Sequence, residues 1–235
     1  MTFTKSNNCR VVRSGLRRPP WIGRNCRQLA IFARDCSPSM SGQKAKDASQ
    51  ACFELLRALG SPENKDGFVV SVVDFDGTAK IKHNSVPAAE LAQSLKPISI
   101  PLLGGGTNIT AGLEQAEIPC RKTPTDAQDG TRWLRPVVVL FSDGCHNTGP
   151  KPESAAESLR KIADLVTVGY GDDADTELLR GLATSPQHFY KCKDGRDLRQ
   201  FFAAVGSTMT ASLAAGVNAT EALGQIQLSS EGRTQ

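Results

Sequence analysis

From residue 27 onward, short apolar runs alternate with segments in which apolar residues recur every three or four positions. "RQLAIFARD" (27–35) predicts a short buried strand. Between Gln43 and Leu59, apolar residues at 45, 48, 52, 55, 56 and 59 follow the helical period. "SPENKDG" (61–67) is a turn cluster. "FVVSVVDF" (68–75) is a continuous apolar run, as in a parallel strand buried on both faces. The half-polar "TAKIKH" (78–83) suits an edge strand returned by a tight turn. A helix over 88–95, the Pro-containing "KPISIPLL" and Gly104-Gly105-Gly106 follow, then a helix from Thr107 to Glu117. A polar loop (119–131) leads to "PVVVLFSDG" (136–144), the clearest strand. Helix 153–164, strand 165–169, helix 175–184, strand 188–190 and helix 195–213 complete the pattern. In the last helix Leu198, Phe201, Phe202, Val205 and Met209 form a stripe that reads as core.

Strands alternating with helices predict an α/β fold. The expected architecture is a doubly wound, mostly parallel, Rossmann-like sheet with one short antiparallel edge strand and helices on both faces. One domain is expected over 27–213, between a flexible basic arm (1–26) and a flexible C-terminal tail (214–235).

Charge and cysteines narrow the setting. Of 28 basic residues, eight (Lys5, Arg10, Arg13, Arg17, Arg18, Arg24, Arg27, Arg34) fall in the first 34 positions with no acid, leaving 20 against 24 acidic residues, a balance of −4. Pro19-Pro20 interrupts any amphipathic helix in this stretch, and Trp21 is its one tryptophan, which argues against a nucleic-acid arm. Seven scattered cysteines, odd in number and without CxxC spacing, point to a reducing compartment, with the cytoplasm the simplest inference. No stretch approaches 18 uninterrupted apolar residues, so neither a membrane span nor a membrane partner is expected.

The chemistry gathers at strand ends, where doubly wound sheets bind ligands. "DCSPSMSG" places Asp35, Ser37 and Ser39 after the first strand; "GGGTN" places Thr107 at a helix start; "FSDG" places Asp143 beyond the best strand. These are hard oxygen donors, of the kind Mg²⁺, Mn²⁺ or Ca²⁺ takes. Neutral hydroxyls with one or two carboxylates leave such an ion under-neutralised, with appetite for a partner's acid group. Each segment alone has a plainer explanation: a serine helix cap, a tight glycine loop, a turn. Their coincidence at one rim outweighs those separate explanations.

At these residues the sequence resembles the von Willebrand factor A (vWA) family. D-x-S-x-S is matched by Asp35, Ser37 and Ser39, the distal threonine by Thr107, and the strand-end aspartate by Asp143. The resemblance implies a metal-ion-dependent adhesion site (MIDAS) in a non-enzymatic protein-binding module, with Asp143 acting on the ion's ligands or on the ion through water. Arg34 departs from the family pattern, which usually has an apolar residue there. The downstream "VGYGDDADTELLRGLATSPQHFYKCKDGRDLRQFFAAVGSTMTASL" looks like the bacterial intracellular TerY-like branch associated with tellurite resistance. That branch implies cytoplasmic partners, including a protein kinase or phosphatase that presents Asp or Glu to the metal.

The rival reading is a haloacid-dehalogenase-like, Mg²⁺-dependent phosphatase. Asp74 and Asp76 of "DFDGT" match that family's nucleophile and general acid, Ser142 and Lys151 could complete the set, and "GDDAD" (171–175) imitates its acidic metal motif. Against it, a strand-helix unit precedes Asp74, and Asp76-Gly77 is a hairpin signal. The turn is therefore expected on the edge hairpin, away from Asp35 and Thr107. Asp172, Asp173 and Asp175 are expected to cap the next helix. Cys145-His146, and a redox pair of Cys36 with Cys145, are weaker candidates.

Overall fold

Strand β1 (Cys26–Asp35) is buried at every position but Arg27 and forms the centre of a six-stranded sheet. The computed structural model describes residues 25–94, 105–124, 130–143 and 145–227. The expected arm up to residue 24, "KPISIPLL", Gly104, Gly144 and residues 228–235 lie outside the described residues. After β1 come α1 (Gln43–Leu59), β2 (Phe68–Phe75), β3 (Ala79–Pro87), α2 (Ala88–Ser94), α3 (Ile109–Lys122) and β4 (Arg132–Ser142). Then follow α4 (Glu153–Ile162), β5 (Asp164–Tyr170), α5 (Thr176–Leu182), β6 (Phe189–Cys192), α6 (Gly195–Ala215) and α7 (Thr220–Leu223).

The sheet order is β3-β2-β1-β4-β5-β6. All neighbours are parallel except β2 and β3, which form the expected antiparallel edge hairpin. Side chains on the two faces of β1 enter two cores. Ala30 and Phe32 join residues of α1, α2, α6 and α7, whereas Leu29, Ile31 and Ala33 join residues of α3, α4 and α5. Phe141 lies against Tyr170 and Phe202 at 5.5 and 6.5 Å between ring centroids, tying β4 and β5 to α6. Each large apolar side chain buried in this way stabilises by roughly 1.5–3 kcal/mol.

The strand order reverses between β1 and β4. The helix after β1 packs on one face and the helix after β4 on the other, which makes their carboxyl ends the switch point where sheets of this kind form a binding crevice. That crevice is where Asp35 and Asp143 emerge.

Two expectations are corrected. The chain does not fray after 214: α6 runs to Ala215 and closes on Gly216 (φ 66°), whose N–H bonds Leu213 O while that of Val217 bonds Ser212 O. Residues 216–227 then pack back. Ala219 and Leu223 are fully buried, Thr220 Oγ1 donates to Asp164 Oδ2 at 2.6 Å, and Asn218 Oδ1 accepts Arg135 N–H at 2.9 Å. Strand β4 also starts at Arg132 rather than 136. A bulge sets Gln28 and Ala30 opposite Leu134 and Val137, so Pro136 costs no ladder bond.

Candidate functional site

Asp35 is the last residue of β1 and has no exposed surface. Cys36 extends the ladder by donating its N–H to Phe75 O at 2.7 Å, which fixes where the chain leaves the sheet. Asp35 Oδ1 accepts the Ser37 N–H at 2.8 Å and Oδ2 accepts the Ser142 hydroxyl at 2.5 Å. Burial raises its carboxyl pKa above the usual value, against these hydrogen bonds and with help from the Asp143 charge. A buried carboxylate whose donors are the neutral Ser142 and Ser37 groups is a place where a cation would be welcome.

Pro38–Met40 form one 3₁₀ turn, anchored by the fully buried Met40. Ser37 Oγ and Ser39 Oγ lie 3.0 Å apart, and Ser39 donates to Asp143 Oδ1 at 2.8 Å. Neither serine caps a helix. Ser37 makes no side-chain cap to the 3₁₀ turn, and α1 is preceded by Gly42, whose backbone (φ 70°, ψ −124°) only glycine adopts readily. The helix-cap explanation for the two serines therefore fails, because their hydroxyls face each other and Asp143.

The oxygen spacing bears on what the site can hold. Around an octahedral Mg²⁺ with bonds of about 2.1 Å, adjacent oxygens sit about 3 Å apart. The 3.0 Å between Ser37 Oγ and Ser39 Oγ equals such an edge, whereas the 2.8 Å from Ser39 to Asp143 is the length of an ordinary hydrogen bond. Among the described residues no group of three or more His, Cys, Asp or Glu is arranged so that it could hold a metal ion by itself. The donor set is thus hydroxyls with carboxylates, suited to a hard divalent cation.

Thr107 sits on the facing loop and is 3% exposed. Helix α3 starts at Ile109, not at Thr107, because Asn108 is the cap: its Oδ1 accepts the Ala111 N–H at 3.0 Å. The loop is laced to the segment after Asp143. Thr107 N donates to Asn147 Oδ1 at 2.8 Å, Asn147 N returns to Thr107 O at 3.1 Å, and Ile109 N donates to His146 Nδ1 at 3.2 Å. Among the described residues no hydrogen bond joins the Thr107 hydroxyl to the other four side chains. The structure thus links Asp35, Ser37, Ser39 and Asp143 directly, and brings in Thr107 through its backbone.

The "DFDGT" turn is on the edge hairpin but not remote, which corrects the expectation. Asp76 O accepts the Asn108 N–H at 2.6 Å, and Asp76 Oδ2 accepts the Gly105 N–H at 3.2 Å. Its Oδ1 holds both Thr78 N and Thr78 Oγ1, at 2.8 and 3.1 Å. Asp76 is therefore a brace for the Thr107 loop. Asp74 has no exposed side chain and binds Arg34 Nε and Nη2 through Oδ1 at 2.8 and 2.6 Å. A nucleophile sealed under a guanidinium cannot reach a phosphate, so the phosphatase arrangement is absent.

Other roles were not visible in sequence. Lys44, on the first turn of α1, reaches Asp143 Oδ2 at 3.0 Å and Asp173 Oδ1 at 3.2 Å. Partial burial pulls its pKa down, but these two carboxylates together hold it above the usual lysine value. Of the three expected capping aspartates, Asp175 caps α5 and Asp173 takes Lys44 instead. His146 Nδ1 accepts from the first N–H of α3, and the buried Cys36 thiol donates to Arg34 O while Cys145 is exposed. Asx-turn spacing in Asp76-Gly77-Thr78 could have revealed Asp76; nothing local reveals Lys44 or Asn147.

Over 159 residues the chain is 26% identical to inter-alpha-trypsin inhibitor heavy chain H4 of Sus scrofa, covering 65% of this chain and 17% of that protein. Over 141 residues it is 29% identical to the magnesium-chelatase 60 kDa subunit of Rhodobacter capsulatus, covering 58% and 23%. The chain thus spans less than a quarter of either curated relative. Among solved structures, proximal thread matrix protein 1 from the mussel byssus, with a zinc-occupied MIDAS motif, shares the fold at TM-score 0.58. The identity there is 19%, over 81% of this chain and 48% of that one. The von Willebrand factor type A domain matches residues 31–204, and with the six-stranded sheet and its switch-point crevice already in place, the chain belongs to that family.

Proposed function

We propose that this domain is a non-enzymatic protein-binding module that engages an acidic side chain of a partner through a divalent cation. Asp35, Ser37, Ser39 and Thr107 would hold the ion, with Asp143 acting from just outside or through water. When bound, Mg²⁺, Mn²⁺ or Ca²⁺ would supply an electrophilic position that a carboxylate can fill. The observation that carries this reading is the Ser37–Ser39 hydroxyl pair at 3.0 Å, with Ser39 oriented by Asp143 and both serines beside a buried Asp35.

The chain's own residues supply orientation and selectivity. Met40 and Gly42 fix the two serines, the Asn147 and His146 contacts fix the Thr107 loop, and residues 145–150 border the site where a partner would dock. The zinc in the mussel protein's MIDAS motif supports a divalent cation in a site of this type. The finer assignment, a cytoplasmic bacterial assembly of tellurite-resistance type with a kinase or phosphatase partner, rests on the resemblance of residues 168–213. Among the described residues no helix is long and apolar enough to cross a membrane.

The test is retention of partner proteins on immobilised chain in Mg²⁺ and their release by chelator. Wild type should retain a partner that Asp35→Ala does not. Turnover of an artificial phosphomonoester, lost on Asp74→Asn, would instead favour the phosphatase.

A further inference from the structure

Lys44 occupies a position that helix stability does not favour. It lies in the first turn of α1, where the helix dipole presents its positive end and a lysine is repelled. Its ammonium group nevertheless stays, 3.0 Å from Asp143 Oδ2 and 3.2 and 3.4 Å from the two oxygens of Asp173. Asp143 is only 3% exposed, and its other oxygen is taken by the Ser39 hydroxyl. The carboxylate is therefore pinned at both oxygens, one by the neutral Ser39 hydroxyl and the other by the Lys44 cation. Asp173, 68% exposed on the loop after β5, steadies the lysine from outside.

Three carboxylates (Asp35, Asp143, Asp173) share this rim with one close ammonium group. An intrinsic cation on Asp143 competes with any other cation for that oxygen. It also adds positive charge near the place where a divalent ion would sit. Both effects weaken cation binding, and both leave a bound ion less neutralised.

On the reading that Asp35, Ser37, Ser39 and Thr107 hold a divalent cation, we propose that Lys44 is the positioning residue that keeps Asp143 out of direct ligation. By doing so it lowers the cation affinity of the site and preserves one coordination position for a partner's carboxylate. Asp143 is then a brace that orients Ser39, and its own entry into the ligand shell is what Lys44 prevents. The partner that fits such a site offers a single exposed carboxylate and gains from meeting an ion of undiminished charge.

The experiment titrates Mn²⁺ into the full chain by calorimetry and counts inner-sphere waters on the bound ion by water-proton relaxation. Lys44→Met should bind Mn²⁺ at least about tenfold more tightly, the size expected when one like charge is removed from a partly screened site. Its bound ion should also lose inner-sphere water as Asp143 moves in. Lys44→Arg keeps the charge and should match wild type in both readouts. An unchanged affinity or an unchanged water count in Lys44→Met overturns the proposal. Asp35→Ala separates the two claims. If wild type binds Mn²⁺ and Asp35→Ala does not, while Lys44→Met equals wild type, only the role of Lys44 falls. If wild type binds no Mn²⁺, the metal site falls and this proposal with it.

Discussion

Arg34 and Asp74 form an ion pair with almost no exposed surface, Nη2 to Oδ1 at 2.6 Å across neighbouring strands β1 and β2. Each is odd in isolation: an arginine where the family usually has an apolar residue, and an aspartate that imitates a phosphatase nucleophile. Together they explain one another. Removing one partner takes away this ion pair and leaves the other charge where almost no surface is exposed. Asp74→Ala should therefore cost about 3–5 kcal/mol in denaturant unfolding, and a paired replacement by apolar residues (Arg34→Met with Asp74→Leu) should recover most of it. An exposed, weakly coupled pair would lose under about 1 kcal/mol.

Asp35 makes the metal-free domain sensitive to pH. Burial raises its folded-state carboxyl pKa, so the folded form holds the proton more tightly than the unfolded chain does. Its stabilising contribution is then complete below the ordinary carboxylate pKa and is lost as pH rises through the raised folded value. Asp35→Asn removes that burden. At neutral pH the metal-free variant should melt above wild type, by about 2–4 °C for each kcal/mol recovered. Near pH 4 the difference should shrink. Mg²⁺ should raise the melting temperature of wild type and not of the variant. Equal melting of the two metal-free proteins at neutral pH would contradict the cause given for the shift.

Asp76 is predicted to control the threonine loop although it touches none of the five site residues through its side chain. Asp76→Ala removes the acceptor for Gly105 N–H and for Thr78. A loss of about 1–3 kcal/mol in stability is expected from the unpaired groups. Weaker Mn²⁺ binding should accompany it. Gly106→Ala should reproduce the loss of affinity, since an added Cβ would collide with Thr148 Oγ1 and Asn147 Oδ1. Calorimetry showing wild-type affinity in both variants would separate the loop from the site.

Local pattern and tertiary context divide what could be read in advance. Helix α1 and strand β2 were legible to the residue, because a clean amphipathic period and an unbroken apolar run each have one good burial solution. The D-x-S-x-S segment left a serine cap open as its plainer explanation, and only the structure shows that Ser37 makes no side-chain cap and that α1 is preceded by Gly42. The start of α3 was misread because Thr107 and Asn108 are both cap-competent, and contacts to Gly77 O and Asn147 decide between them. Helix α7 was missed for a related reason: its four residues carry little periodicity, and it is held by Asp164, Tyr190 and His188, all distant in sequence. Lys44 looked like any lysine on a helix. Its meaning depends on Asp143, 99 positions away.

The central claim is that oxygens from three separate loops converge on one hard cation. Anomalous diffraction from crystals of the full chain soaked in Mn²⁺ tests it most directly. One peak is predicted within bonding distance of Ser37 Oγ, Ser39 Oγ and Thr107 Oγ1, with Asp35 and Asp143 flanking it. A peak seated between Asp74 and Asp76, or Thr107 left outside the ligand shell of an ion at the serines, would contradict the account.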